Sequence, residues 1–291
     1  MVGQHDAISA RDALAASKMP GVMDLLQARI PYERCPLCDG TETFVRMLGE
    51  CAGQPSYKTP LPTTMRWLQC RGCAHVYVDG YFSPAALEVL FSVTLPSQVP
   101  GHDIETARYV WARVVDNVSM FLPSQSGRWL DVGFGNGALM TTAAEYGFDV
   151  IGLDLRESSV QMMRELGYEA HALELDDYQS DTPLDVISMA DTLEHVPFPK
   201  SALKRAFDAL REGGVLFLSM PNTDSFIWET LTRNDVNPYW NEIEHYHNFG
   251  RKRLYALLEE CGFSPLRYMV SFRYRACMEV IARRGPRPMG S

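Results

Sequence analysis

One short stretch decides the fold, residues 129–137, which read WLDVGFGNG. The apolar run Trp129-Leu130-Asp131-Val132 leads into a glycine cluster, and a helical pattern follows that cluster. Glycine allows a sharp turn of the backbone and lets a ligand lie against main-chain N–H groups. We therefore predict a strand, a ligand-binding turn and a helix at this point of the chain.

Strands and helices alternate in the sequence that follows this turn. The predicted strands are residues 148–153, 170–173, 184–189, 215–220, 266–272 and 276–281. The predicted helices begin near Glu157, Ser201 and Leu254, and Gly213-Gly214 is expected to end the second of them. Alternation at this spacing is typical of a mostly parallel sheet with right-handed crossovers. We predict an α/β fold with a Rossmann-like, seven-stranded, mostly parallel sheet.

An acidic residue follows the glycine turn at an informative distance. Asp154 lies twenty-one residues after Gly133, at the end of the next predicted strand. A carboxylate in this position accepts hydrogen bonds from the vicinal hydroxyls of an adenosine ribose, and Leu155 offers an apolar surface to the adenine. The glycines read G-x-G-x-G, and the carboxylate of Asp131 would repel a pyrophosphate but suit the amino group and sulfonium of S-adenosylmethionine (SAM). The alternative is a tight turn that binds no ligand.

Taken together, these motifs resemble the class I SAM-dependent methyltransferase family over roughly residues 104–283. The resemblance extends to residues 191–196 (DTLEHV), to Gly213-Gly214 and to Met220-Pro221-Asn222. It implies transfer of a methyl group from SAM to a small molecule, such as a sugar or a secondary metabolite, on carbon, nitrogen or oxygen. The cofactor-binding residues that it implies are Asp131, Gly133, Phe134, Gly135, Gly137, Asp154, Leu155, Leu173, Glu174 and Asp191.

Two Cys-x-x-Cys pairs precede this region, Cys35/Cys38 and Cys70/Cys73. Thiolates at this spacing present two sulfurs to one metal ion, and two such turns complete the tetrahedral ligand set of zinc. We predict a zinc-ribbon-like segment with a structural Zn²⁺. His75 is a rival ligand, and four reduced cysteines in a small core are the alternative to a metal site.

The candidate catalytic residues lie between the fifth strand of the sheet and the last helix. Residues 237–249 contain Glu244, His245 and His247. Residues 244–249 resemble the Glu-His-x-x-x-Phe stretch of the sugar C-methyltransferases, and the four-cysteine segment before the methyltransferase core resembles that group as well. The resemblance implies that Glu244 and His245 act as acid and base, with His247 as a further candidate. Alternatively, these histidines only order the loop. For Glu194 and His195, packing or cofactor positioning is the expected role.

The domain organisation predicted from these patterns has five parts. They are a helical lead (1–30), the zinc segment (31–80), a helical connector and cofactor lid (81–125), the methyltransferase domain (126–284) and a tail (285–291). No apolar run is long enough to span a membrane, and the first residues lack the apolar core of a secretion signal, so we expect a cytoplasmic protein.

The net charge limits the choice of partner. A formal charge of −9 argues against a nucleic-acid partner, because nucleic-acid binding depends on cationic side chains. Two other functions stay open. An RNA or protein methyltransferase predicts a basic groove beside the cofactor, and a non-catalytic SAM-binding or zinc-ribbon interaction module predicts cofactor binding without a methyl acceptor. The sequence does not indicate the oligomeric state.

Overall fold

The structure is a computed structural model that describes residues 28–92, 94–124 and 126–286. Most of the predicted helical lead and residues 287–291 of the predicted tail lie outside the described residues. None of the helices within these described ranges is long and apolar enough to cross a membrane.

The described residues form thirteen strands, seven α-helices and three 3₁₀ helices of three residues each. The strands are β1 (Arg29–Pro31), β2 (Thr43–Glu50), β3 (Thr64–Cys70), β4 (Val76–Val78), β5 (Gly80–Phe82), β6 (Arg128–Val132), β7 (Asp149–Leu153), β8 (Glu169–His171), β9 (Leu184–Ala190), β10 (Leu210–Pro221), β11 (His247–Asn248), β12 (Phe263–Val270) and β13 (Cys277–Arg284). The helices are α1 (Pro84–Leu90), α2 (Ile104–Ser119), α3 (Ala138–Glu145), α4 (Glu157–Glu165), α5 (Pro199–Ala209), α6 (Phe226–Arg233) and α7 (Arg251–Glu260).

The larger sheet confirms the predicted architecture. Its seven strands lie in the order β12-β13-β10-β9-β6-β7-β8. β13 runs antiparallel to both of its neighbours, and the other six strands run parallel to one another. The carboxyl ends of β6, β7 and β9 therefore meet at one edge of the sheet, where open α/β sheets bind their ligands.

Consecutive residues of the central strands face opposite sides of the sheet, because side chains alternate along a strand. In β6, Leu130 packs into a core that includes residues of α5 and α7, whereas Trp129 packs into a second core with residues of α2, α3 and α4. Both side chains are fully buried. The sheet is thus the middle of three layers, and its carboxyl edge is left open between them.

The glycine pair before the fifth strand of this sheet differs from the prediction. β10 begins at Leu210, so Gly213 and Gly214 lie within the strand and do not precede it. The register with β9 shifts between Leu210 and Val215, and Gly213 has a φ of 75°. The pair therefore forms a bulge, a local irregularity for which a left-handed glycine is well suited.

The N-terminal segment forms a smaller sheet that a distant part of the chain completes. Its order is β11-β4-β3-β2, and β11 pairs with β4 so that His247 lies opposite Tyr77. The indole N–H of Trp67 in β3 donates to the carbonyl oxygen of Trp240 at 2.8 Å. Residues 237–249, which the sequence indicated as the catalytic loop, are therefore fixed to the cysteine segment.

Candidate active site

A cavity of about 800 Å³ opens at the carboxyl edge of the larger sheet. Of the residues predicted to bind cofactor or to act in catalysis, nine line it: Gly133, Phe134, Gly135, Asp154, Leu155, Leu173, Glu174, Asp191 and Glu244. Trp111 of α2 and Leu90 of α1 line it from the other side. The fold thus brings together residues that are far apart in the sequence.

The glycine turn has a conformation that other residues rarely adopt. Gly133, Gly135 and Gly137 have φ angles of 71°, 57° and 74°. A Cβ atom on Gly133 would lie 2.6 Å from the hydroxyl oxygen of Thr192, so a side chain has no room there. The turn therefore keeps main-chain atoms close to the cavity, as expected for a loop against which a ligand lies.

Asp154 sits beside this turn and is bonded to it. One carboxylate oxygen accepts a hydrogen bond from the backbone N–H of Gly135 at 3.0 Å, and the other accepts one from the N–H of Arg156 at 2.9 Å. Each oxygen has a second lone pair, and Nη1 of Arg156 contacts one of these oxygens at 3.4 Å, a long hydrogen bond that a ligand hydroxyl can replace. The side chain is buried and its orientation is fixed before any ligand binds.

Asp131 lies behind the turn, beneath the cavity. Its carboxylate accepts a hydrogen bond from the hydroxyl of Ser188 at 2.6 Å, and that hydroxyl oxygen accepts one from the indole N–H of Trp129 at 2.8 Å. Burial raises the pKa of Asp131 to about 7, although the bond from Ser188 acts in the opposite direction. Asp131 is thus a buried carboxyl group that keeps its proton up to about neutral pH.

Beyond Asp154, the cavity is apolar on two sides. Leu155 and Leu173 both line it and are 46% and 39% exposed. Glu174 adjoins them, and burial together with the nearby Asp176 and Asp177 raises its pKa. Apolar faces with a hydrogen-bonding group at the edge suit a planar heterocycle such as adenine.

Next to the cavity, a carboxyl group and two imidazoles converge. Glu194, His195 and His245 each place a donor atom within 4.8 Å of the other two, a set that also matches the ligands of divalent transition metals. His195 lines the cavity. Its Nδ1 lies 3.0 Å from the carbonyl oxygen of Glu244; since a carbonyl only accepts, Nδ1 carries the proton and Nε2 keeps its lone pair.

The two histidines that the sequence singled out, His245 and His247, do not line the cavity. The ring of His245 stands perpendicular to that of His195 at 4.7 Å between centroids, and its buried Nδ1 has no partner among the described residues. His247 accepts from His75 at 3.0 Å and donates to the carbonyl of Val196 at 3.0 Å. Both ring nitrogens of His247 are therefore engaged between the small sheet and the larger domain.

Two arginines of the cavity were missed at the sequence level. Arg156 lies 3.4 Å from the carboxylate of Asp154 and 3.7 Å from that of Glu244. Arg273, in the loop between β12 and β13, is ion-paired with Asp191. Lone arginines in loops carry no spacing signal, and only the position of Arg156, two residues after Asp154, hinted at a site role.

The aromatic side chains of Trp228, Tyr239 and Trp240 do not line the cavity. Trp228 and Trp240 are buried between the larger domain and the N-terminal segment, and the ring of Tyr239 stacks on that of Trp228. Trp111 lines the cavity instead. In the same helix, Tyr109 is 68% exposed.

The four cysteines of the N-terminal segment come together in two similar turns. The sulfurs of Cys35 and Cys73, and those of Cys38 and Cys70, are each 3.6 Å apart. All four sulfurs lie within 4.8 Å of one another. A tetrahedron with zinc–sulfur bonds of about 2.3 Å has edges of about 3.8 Å, so the spacing fits one zinc ion.

The surroundings of the four sulfurs also fit a metal ion. The residue after each Cys-x-x-Cys pair, Asp39 and Ala74, is left-handed, with φ angles of 58° and 61°. A Cβ atom on Gly40 would lie 3.3 Å from the sulfur of Cys38. His75, the rival ligand, points to His247.

Residues 104–268 match the methyltransferase-domain family. This chain belongs to that family. A ubiquinone biosynthesis O-methyltransferase of Bordetella avium is 30% identical over 178 residues, which cover 57% of this chain and 72% of that protein. Another, from Idiomarina loihiensis, is 36% identical over 107 residues, which cover 34% of this chain and 44% of that protein. The chain spans about half the length of most of the curated relatives that it matches.

The methyltransferase domain also has structural neighbours. The 1,6-didemethyltoxoflavin-N1-methyltransferase of Burkholderia thailandensis, solved with its acceptor and S-adenosylhomocysteine, aligns with a TM-score of 0.53 and 19% identity over 73% of this chain and 96% of that one. At this identity, the likeness shows the fold. The family match begins at α2 and therefore leaves the cysteine segment outside.

Proposed function

We propose that this protein binds SAM in the cavity and transfers its methyl group to a small-molecule acceptor. The observation that carries the proposal is the contact between Asp154 and the turn, in which a buried carboxylate accepts the N–H of Gly135 and has lone pairs left for the ribose hydroxyls. Gly133 then leaves room for the donor against the main chain, and Leu155 and Leu173 flank its adenine.

The charge distribution favours a small molecule over RNA. Arg156 and Arg273 are the arginines of the cavity lining, and both are paired with carboxylates. The acidic residues of the lining are Asp103, Asp154, Glu174, Asp176, Asp191 and Glu244. A surface with this balance repels a polyanion. Because the two relatives described above are O-methyltransferases, a hydroxyl group is the acceptor that we propose.

For the acceptor proton, we propose that the imidazole on the cavity surface is the base. Methyl transfer from a sulfonium is an in-line displacement, so the protein mainly aligns the acceptor and takes its proton. His195 offers a free Nε2, and the backbone of Glu244 fixes its tautomer. The other candidates support it: Glu244 lines the cavity, His245 packs against His195, and His247 holds the loop to the small sheet.

We further propose that Cys35, Cys38, Cys70 and Cys73 hold a structural zinc ion. A closed set of four sulfurs leaves no position for a substrate, so the ion would stabilise the small sheet to which residues 237–249 are attached. Residues 81–125 act as the connector and cofactor lid, since Leu90 and Trp111 of α1 and α2 line the cavity.

Calorimetry with S-adenosylhomocysteine, the demethylated product of SAM, tests the cofactor site. We expect wild type to bind it and to show no binding of NAD. Asp154→Ala removes two hydrogen bonds to a charged acceptor, each worth about 1.5–3 kcal/mol, so affinity should fall at least about a hundredfold. Unchanged affinity in Asp154→Ala, or NAD binding by wild type, would contradict the proposal.

A further inference from the structure

One guanidinium group connects the cofactor side of the cavity to the loop that carries Glu244. Arg156 is the residue before α4, and its backbone N–H donates to the carboxylate of Asp154 at 2.9 Å. Its Nη1 lies 3.4 Å from the same carboxylate oxygen, and its Nη2 lies 3.7 Å from a carboxylate oxygen of Glu244. All three residues line the cavity. Arg156 therefore bridges two acids that are far apart in the sequence.

Both contacts of the Arg156 side chain are longer than those of a full ion pair, in which nitrogen and oxygen lie about 2.7–2.9 Å apart. Asp154 and Glu244 are nevertheless the acids with which it pairs among the described residues. Its Nε is buried without a hydrogen-bond partner in the same part of the chain, and its guanidinium carbon lies 5.0 Å from the centre of the Phe91 ring. The cation is thus shared between two carboxylates and fully paired with neither.

Glu244 in turn holds the proposed base. Its backbone carbonyl oxygen accepts the hydrogen bond from Nδ1 of His195 at 3.0 Å. Its carboxylate forms an ion pair with Arg156 and with no other residue in the part of the chain that the structure describes. Because the carboxylate and the carbonyl belong to one residue, fixing the carboxylate also limits the movement of the carbonyl that orients His195.

A ribose in the proposed cofactor site competes with Arg156 for Asp154. The oxygen that Nη1 contacts already accepts the backbone N–H of Arg156, so a ligand hydroxyl takes the place of the long contact. A buried cation that loses one partner is costly unless another carboxylate receives it. Among the described residues, Glu244 is the other acid that contacts this guanidinium.

We propose that Arg156 is a positioning residue that couples binding of the donor to the orientation of the base. The ribose hydroxyls release Arg156 from Asp154, and the guanidinium then closes on Glu244 as a hydrogen-bonded ion pair. The carbonyl of Glu244 is thereby fixed and orients His195. This inference rests on the SAM site and the base proposed above. The base is then fully oriented only while the donor is bound.

Hydrogen exchange of the loop amides tests this coupling without an acceptor. The N–H groups of His245 and Tyr246 donate to the carbonyls of Glu242 and Glu194 and report how firmly the loop is held. In wild type, saturating S-adenosylhomocysteine should slow their exchange at least about tenfold, as expected for one added hydrogen bond between charged groups. Its 2′,3′-dideoxy analogue lacks the competing hydroxyls. At saturation, this analogue should slow exchange at the glycine turn but not at the two loop amides.

Variants assign the effect to the two side chains. In Arg156→Met, S-adenosylhomocysteine should still slow exchange at the glycine turn but no longer at the two loop amides, and Arg156→Lys should restore part of the effect. Glu244→Gln should weaken it as well. Arg164→Met is the matched control, because Arg164 lies in α4, pairs with Glu157 at 3.9 Å and does not line the cavity in the described part of the chain. Its response should equal that of wild type.

The outcomes separate this inference from the proposals on which it rests. If wild type did not bind S-adenosylhomocysteine, the SAM site itself would be wrong. If wild type bound it without slower exchange at the two loop amides, or if the dideoxy analogue slowed them equally, only the coupling through Arg156 would be overturned, whether or not the variants fold. An equal effect of the ligand in wild type and in Arg156→Met would make Arg156 a structural residue.

Discussion

The buried carboxyl group of Asp131 makes a pH-dependent prediction that does not require a known acceptor. Burial raises its pKa from 3.8 to about 7 in the folded protein. Between these two pKa values, Asp131 keeps its proton in the folded protein and loses it in the unfolded chain. The stabilisation is therefore complete below about pH 4 and is lost as the pH rises through 7.

The size of the effect follows from this difference in pKa. Each pH unit over which only the unfolded chain is ionised lowers the free energy of unfolding by about 1.36 kcal/mol. Between pH 5 and pH 8, the two pKa values give a loss of about 2.5 kcal/mol. Asp131→Asn keeps an oxygen that accepts from Ser188 but does not titrate, so it removes this dependence without changing the shape of the site.

The assay is urea unfolding of wild type and Asp131→Asn at a series of pH values. All other titrating groups cancel in the difference between the two free energies of unfolding. That difference should move by about 2.5 kcal/mol in favour of the variant from pH 5 to pH 8 and level off above pH 7. A difference that stays constant within about 0.5 kcal/mol would show that Asp131 is already ionised at pH 5 in the fold.

Two further predictions concern the proposed base and the proposed zinc ion. An acceptor is first found by methyl incorporation from labelled SAM into a panel of phenols and hydroxylated sugars. With that acceptor, His195→Asn should lower kcat about a hundredfold and leave the affinity for S-adenosylhomocysteine within about threefold. Equal losses in kcat and in affinity would make His195 a cofactor-positioning residue. Metal analysis should find one zinc per chain in wild type and in Cys261→Ser, a buried cysteine outside the cluster, but less in Cys38→Ser; wild type without zinc would refute the site.

The glycine turn and its acidic partner illustrate what local sequence can predict. Gly133, Gly135 and Gly137 all adopt left-handed angles, and Asp154 bonds to the turn from the neighbouring strand. A strand, a turn and a helix that follow one another in sequence need no distant contact to be recognised. The same holds for the cysteines, since each Cys-x-x-Cys pair defines half of a metal site.

The elements that the sequence analysis missed depend on partners outside their own stretch of sequence. β2 was not predicted, because its polar and apolar residues form a strand only against β3, and β11 has two residues and exists only because β4 is beside it. Gly213 and Gly214 were expected to end a helix. They lie in β10 because pairing with β9 continues through a bulge.

By itself, the sequence determined the seven-stranded sheet, the glycine turn and the two Cys-x-x-Cys turns, because each follows from the backbone preferences and spacing of neighbouring residues. Only the tertiary structure decided which histidine reaches the cavity and that Arg273 lies opposite Asp191. His195, His245 and His247 are equivalent as residue types, and their surroundings differ only through packing. That packing is set by the way the small sheet lies against the larger one. No short stretch of sequence contains this information.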